Sequence, residues 1–369
     1  MYNKIKNFLR QETVLFILMI IFIFITALMP GYMDEYASFI DWKTIITLLA
    51  LIITATGIKE SGYLDKIAAR MLLKIRDERT LAFFLVFLSA ILSMFLTNDI
   101  ALFITVPLTL SMQSILKKDL VKVVIFEALA VNAGSSLTAI GNPQNIYLWN
   151  KWGISFLEFS VKMAPLVLLM MFVLSIFIFF VFGKHRLKIS EDTVKTPVKK
   201  WLGIVSAAIM ALFLVTLQFR LELYLLPAVI LVYLIFYRKV LAKVDWLLII
   251  TFVFMFINFS MISKIPAVTA MISRLDMSNN GNVFIISALV SQLMSNVPAA
   301  IFMSKFTSNW QALTFGVDIG GNGIIIGSLA NIIAIRLMKP KDNKVWIEFH
   351  RYSIPFFLIT GLIVWLFIK

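Results

Sequence analysis

Apolar runs of membrane-spanning length follow one another along this chain, separated by short polar stretches rich in lysine. The informative places are those where the alternation fails. A helix rises about 1.5 Å per residue against a hydrocarbon core of about 30 Å, so roughly 20 apolar residues make a span. On that measure the chain predicts spans at 14–29, 43–57, 160–182, 201–218, 223–237, 246–262 and 353–367. Between 59 and 79, Leu64, Ile67, Ala68, Met71 and Leu72 share one helical face and Lys66, Arg70 and Lys74 the other. That is the pattern of a basic amphipathic helix on the membrane surface, or of an ordinary cytoplasmic loop helix. Residues 264–275 repeat it, with Val268, Met271, Ile272 and Leu275 on one face.

The remaining segments do not read as simple spans. Residues 81–96 are apolar but span only about 24 Å as helix, short of the core. Thr97-Asn98-Asp99 then interrupts a second run to 116, with Arg76 and Arg79 before and Lys117, Lys118 and Lys122 after. Positive flanks at both ends point to a chain that enters and leaves on the cytoplasmic face, a re-entrant hairpin over 81–116; the alternative is two ordinary spans with a polar turn. Residues 282–306, interrupted by Ser291-Gln292 and Ser295-Asn296-Val297-Pro298, read as a second hairpin. The spans 123–149 and 310–338 are broken, at 141–145 and 320–322. Aligned without a gap, VNAGSSLTAIGNPQN (131–145) and VDIGGNGIIIGSLAN (317–331) match at Gly134 and Gly320, Gly141 and Gly327, and Asn145 and Asn331. Glycine is costly inside a helix and Pro143 lacks a backbone donor. Such backbone is tolerated at membrane depth only where protein or a watery cavity covers it. Paired interruptions in the two halves of a membrane protein point to a transport site.

The order of elements recurs. Asp41-Trp42 and Asp245-Trp246 each open a span that leads to a surface helix, a hairpin with a central Asn, a broken span and a final span. An odd number of crossings separates the copies, so the repeat is inverted. The chain therefore divides into an N-terminal repeat (1–182), a cytoplasmic linker (183–200) and a C-terminal inverted repeat (201–369) of an all-α polytopic membrane protein.

Composition agrees. The 369 residues are 60% hydrophobic and 15% charged, with mean hydropathy +0.93, outside the range of soluble domains. A net charge of +14 could mean nucleic acid, but with the N-terminus inside, 26 of the 34 Lys and Arg fall in cytoplasmic segments. That is the positive-inside bias, and no nucleic-acid partner is expected. Lys4, Lys6 and Arg10 precede a run as long as a full span, which reads as a signal-anchor rather than a cleaved leader. There is no cysteine, and His185 and His350 lie in basic loops, so neither thiol nor metal chemistry is indicated. No His-Glu-x-x-His or Gly-x-Ser-x-Gly motif is present, so an intramembrane enzyme is disfavoured.

The candidate binding groups are Thr97, Asn98 and Asp99; Thr138, Asn142 and Asn145; Ser295 and Asn296; and Asn322, Ser328 and Asn331. Amide and hydroxyl oxygens beside unwound carbonyls suit Na⁺, with Asn98, Asn145, Asn296 and Asn331 as ligands, while half-helix N-termini suit an anion. The structural alternative is that these side chains glue or cap helices. Asp99 and Asp318 are the coupling candidates, since an intramembrane carboxylate is costly and usually functional. Glu127, five residues after Lys122, reads as solvated near the cytoplasmic end of its span.

LTNDIALFITVPLTL, GSSLTAIGNPQN, SQLMSNVPAA and DIGGNGIIIGSLAN resemble, in this order, the ion transporter superfamily. It includes arsenite permeases, divalent-anion:sodium symporters, citrate transporters and some sodium/proton antiporters. The Thr97-Asn98-Asp99 tip looks closest to the arsenite-permease branch, because the divalent-anion symporters carry Ser-Asn-Thr at each tip. The resemblance implies an elevator-type carrier, usually a homodimer. The function expected is secondary transport of a small anion, carboxylate or oxyanion, across the cytoplasmic membrane, coupled to Na⁺ or H⁺ and needing no other cofactor. A sodium/proton antiporter is the alternative, and a passive channel a further one.

Overall fold

The computed structural model describes residues 13–63, 66, 75, 77–116, 119–186, 197–218, 222–338 and 344–369. Most of the amphipathic stretch at 59–79 and the basic N-terminus lie outside the described residues. In chain order the helices are α1 (Thr13–Leu28), a 3-10 turn (Pro30–Glu35), α2 (Tyr36–Phe39), α3 (Trp42–Glu60), α4 (Glu78–Phe95), α5 (Asn98–Leu116), α6 (Val121–Ser135), α7 (Pro143–Trp152) and α8 (Phe156–Val181). They continue with α9 (Lys200–Gln218), α10 (Glu222–Phe236), α11 (Arg238–Leu241), α12 (Trp246–Ile262), α13 (Pro266–Ser273), α14 (Asn280–Met294), α15 (Asn296–Met303), α16 (Trp310–Gly320), a 3-10 turn (Ile325–Gly327), α17 (Leu329–Met338) and α18 (Lys344–Ile368). Among the described residues the only extended pairing is an isolated bridge between Asp77 and Arg186.

Four of these helices, α3, α4, α8 and α18, are each long and apolar enough to cross a membrane. Two bent pairs could each make one more: α1 with Pro30–Phe39 at 119°, and α12 with Pro266–Ile272 at 79°. Large apolar side chains such as Leu168, Phe180 and Phe367 are exposed on the outer faces, where lipid would cover them.

Two of the boundaries that differ from the expectation change its reading. α4 begins at Glu78, because the Asp77 carboxylate accepts the Thr80 N–H at 3.0 Å and caps it. That lengthens the helix to 18 residues, no longer short of a span. α18 begins at Lys344 rather than 353, so His350 lies on a helix and not in a loop.

Matched contacts recur in the two halves. Asp41 caps α3 through the Thr44 N–H at 3.0 Å, and Asp245 caps α12 through Leu248 at 3.1 Å. Trp42 Nε1 donates to the Ala37 carbonyl at 3.0 Å, and Trp246 Nε1 to Leu241 at 3.1 Å. α4 packs on α6, and α14 on α16, each through a glycine. A Cβ on Gly134 would stand 2.6 Å from Ala90 Cα, and one on Gly320 would stand 2.8 Å from the Ala288 carbonyl oxygen. Only glycine lets these backbones approach so closely.

Candidate functional site

α6 ends at Ser135, the chain runs non-helically through 136–142, and α7 starts at Pro143. The break thus precedes the expected 141–145. Proline is at home in the first helical turn, where its missing N–H costs nothing. Asn142 caps α7 by accepting the Asn145 N–H at 2.8 Å, and its amide donates to Ser135 Oγ at 3.1 Å. Asn145 Nδ2 reaches back to the Thr138 and Ser136 carbonyls at 3.4 and 3.5 Å. Thr138 Oγ1 donates to the Met94 carbonyl at 2.5 Å.

The first tip lies against this break. The Asn98 N–H donates to the Gly141 carbonyl at 3.0 Å. Asn98 and Asp99 stand in the first turn of α5, with Asn98 Oδ1 accepting the Asp99 N–H at 3.0 Å. Thr97 Oγ1 and Asp99 Oδ1 are buried without a hydrogen-bond partner.

The second half is built alike. The helix stops at Gly320 and resumes at Leu329, so the break covers 321–328 rather than 320–322. Asn296 begins α15, accepts the Val297 N–H at 3.0 Å, and donates to Ser328 Oγ at 3.4 Å. Before it, half-exposed Ser295 is held at φ 74° and ψ 157°, a region almost reserved for glycine. Gln292 clamps the break, donating to the Gly320 carbonyl and accepting the Ile324 N–H at 2.6 Å. His350 Nε2 accepts the Ile325 N–H at 3.3 Å.

Two of the contacts between the halves join the breaks. Asn132, on α6, donates to the Gly321 carbonyl at 3.1 Å and to Asn331 Oδ1 at 2.9 Å, and accepts the Ser328 hydroxyl at 3.0 Å. Asn331 donates to the same Gly321 carbonyl at 2.8 Å. In the other direction Asp318, on α16, accepts the Gln144 amide of α7 at 3.0 Å. Asn322 Nδ2 donates to the Asp318 carbonyl at 3.1 Å. Asp318 Oδ2, Gln144 Oε1, Asn145 Oδ1 and Asn322 Oδ1 are buried and unpartnered.

Every expected site residue except Ser295 is therefore buried, and each contacts a tip or a break. Asn132, Gln144 and Gln292 were not singled out as binding groups from the sequence. The ungapped alignment held a signal for the first, since it sets Asn132 opposite Asp318, and Gln144 lies inside the GNPQN break. Glu127 is a correction: it is 0% exposed, not solvated, because α6 is covered on all sides from Val123 to Ser135. It accepts the Thr109 hydroxyl at 2.8 Å.

Helices with apolar outer faces around two unwound segments that meet in a buried interior suit a polytopic membrane protein, and the comparisons below make it a membrane transporter. Comparison with known sequences agrees. The chain belongs to the citrate transporter family (CitMHS), whose family model matches residues 13–311. It is 37% identical to inner membrane protein YbiR of Escherichia coli, over 94% of this chain and 93% of that one. It is 35% identical to an uncharacterized transporter of Methanocaldococcus jannaschii, over 82% and 83%. A 46 kDa membrane protein of Mycobacterium leprae is 24% identical over 89% of this chain and 86% of its own length.

Proposed function

We propose that this chain is a secondary active carrier of a small anion, coupled to Na⁺ or H⁺, with its site between the two breaks. The observation that carries the reading is reciprocal reach: Asn132 enters the second break while its aligned counterpart, Asp318, holds the helix that follows the first. α5, α7, α15 and α17 all begin at this cluster, so four helix N-termini offer N–H groups and positive dipole ends to an anion. Asp318 Oδ2, Gln144 Oε1 and Asn145 Oδ1 are open to a cation. The Oδ1 atoms of Asn98 and Asn331 each accept one hydrogen bond and retain a second lone pair, and Asn296 Oδ1 accepts the Val297 N–H and, at 3.4 Å, the Ser295 hydroxyl. Asp318 is the coupling group, because a proton or Na⁺ on its open oxygen neutralises a buried carboxylate; Asp99 is the second candidate.

The matched caps, tryptophan bonds and glycine contacts support an inverted repeat. Loop contacts support the orientation read from charge. Arg79 with Phe182, Lys122 with Glu348, and Lys243 with Glu60 join segments assigned to the cytoplasm. Lys264 with Glu35 and Asn150 with Thr44 join segments assigned to the opposite face. The protein then sits in the cytoplasmic membrane with its N-terminus inside. Elevator movement and a homodimer follow from the family resemblance.

Binding tests this reading. Citrate, succinate, phosphate and arsenite are added to the purified protein with and without Na⁺ across pH, and thermal unfolding is followed. A ligand at about 100 times its dissociation constant stabilises by about 2.7 kcal/mol. One anion raises the midpoint, and Na⁺ or acid strengthens the effect. No shift with any anion, in any condition, contradicts an anion site. A shift with Na⁺ alone moves the assignment to a sodium/proton antiporter, which the open Asp318 oxygen also fits.

A further inference from the structure

Glu127 takes no part in the cluster between the breaks. It lies on α6 five residues before Asn132, about 7.5 Å down the axis, and Thr109 lies about 16 Å along α5 from the Asn98 tip. Its side chain is wholly buried, with Oε1 held by Thr109 and Oε2 without a partner. Thr105, one helical turn from Thr109 on the same face of α5, also buries an unpartnered hydroxyl oxygen.

The helices packed on α6 carry few charges, and these are engaged elsewhere or lie near helix ends. On α4, Arg79 donates to the Phe182 carbonyl and covers the Phe179 ring, and Glu78 is in the first turn. On α18, Glu348 faces Lys122 and accepts the Tyr352 hydroxyl, His350 serves Ile325, and Lys344 and Arg351 lie on the first two turns. α5 contributes Asp99, α16 contributes Asp318, α8 contributes Glu158 and Lys162, and α17 contributes Arg336. Among the described side chains Glu127 has the Thr109 hydroxyl as its partner and no ion pair.

An unpaired carboxylate buried in such surroundings costs several kcal/mol. A polar group that expensive, held by a dedicated hydroxyl and open at one oxygen, is built to receive something. We propose that the Glu127 carboxyl is a second proton-binding site, formed with Thr109 and separate from the site between the breaks. Oε2 takes a proton from water and returns it, and no other bond is made or broken. A proton needs one acceptor, whereas an alkali cation needs a shell of oxygens. The Glu127 carboxyl and the Thr109 hydroxyl are the polar groups in contact at this point, and the Thr109 oxygen already points its hydrogen at Oε1. The proposal stands whether or not the central site takes an anion.

Infrared difference spectra of the full chain in lipid vesicles, between acid and alkaline pH, read this site without any transport assay. The expected result is a carboxylic-acid C=O band that appears in acid, is lost in Glu127→Gln, and persists in Asp99→Asn and Asp318→Asn. Thr109→Val, which keeps the acid and removes its donor, shifts that band upward in frequency and gives the same answer should Glu127→Gln fail to fold. A Glu127 carboxylic-acid band that absolute spectra show at both pH values, and that therefore cancels in the difference, makes Glu127 a fixed structural acid and overturns the proposal. So does a titrating band that neither Glu127→Gln nor Thr109→Val alters.

Discussion

Asn132→Ala is the sharpest perturbation of the join between the halves. The side chain is 4% exposed and makes three hydrogen bonds into the second break, to Gly321, Asn331 and Ser328. Side-chain hydrogen bonds inside membrane proteins average about 0.6 kcal/mol and reach about 1.7 kcal/mol, less than buried bonds in water-soluble cores, because the unfolded chain in lipid also finds partners. Removing all three therefore costs about 2 kcal/mol, with an upper bound of about 5 kcal/mol. The Gly321 carbonyl keeps the Asn331 amide, so the loss falls chiefly on Asn331 Oδ1 and the Ser328 hydroxyl. The assay is reversible unfolding in mixed micelles, run as a double-mutant cycle with Ser328→Ala. The pair should show a coupling energy of about 1 kcal/mol, within the range seen for residues in one network. Additive effects, or a single-mutant loss below about 0.3 kcal/mol, would refute the claim that Asn132 ties the two breaks together.

Gly141→Ala would drive a Cβ into the Ser135 backbone, with its carbonyl oxygen the nearest atom and its Cα at 2.7 Å. Overpacking of this kind costs about 1–3 kcal/mol, and because Gly141 also receives the Asn98 N–H, anion-induced stabilisation should fall with it; a variant with normal midpoint and normal ligand response contradicts the close approach. Ser295→Gly relieves the positive φ at the second tip and should raise the unfolding midpoint, by the equivalent of about 1 kcal/mol. An unchanged or lower midpoint means the tip is not strained. At the start of α4 the Thr80 N–H, helped by the Thr80 hydroxyl, holds the Asp77 carboxyl below the ordinary 3.8. A folded-state value below the unfolded one stabilises above the unfolded value, and that stability is lost as pH falls through the folded one. Asp77→Ala should therefore cost about 1 kcal/mol at neutral pH, with the gap to wild type closing in strong acid; a gap that stays constant with pH contradicts the cap.

The spans were legible because hydropathy tracks the long apolar faces that lipid covers. Their ends were less so. α18 starts early through Lys344–Arg351, a charged first pair of turns that hydropathy discounts, and α4 gains its first turn from a single capping carboxylate at Asp77. The breaks and tips announce themselves through Gly134, Gly141, Pro143 and Ser295-Asn296, residue types that helices avoid or place at their ends. Pro143 misleads by one step: it reads as part of the break but begins the next helix. Asn132 was hidden because one Asn among Val131, Ala130 and Ala133 looks like helix glue, and only its alignment with Asp318 distinguishes it. Glu127 was misread for a different reason. Its distance from Lys122 is local, whereas its burial depends on four or more helices that pack on α6 from elsewhere in the chain.

The most direct measurement of the central claim is flux. Labelled anions, citrate first, are offered to vesicles containing the protein under imposed Na⁺ or proton gradients, beside Asn98→Ala and Asn296→Ala variants verified as folded. The account predicts uptake that one gradient drives and that either substitution abolishes, since each Asn carries one tip onto the break of its own half. Uptake indifferent to both gradients, or undiminished in both variants, would contradict it.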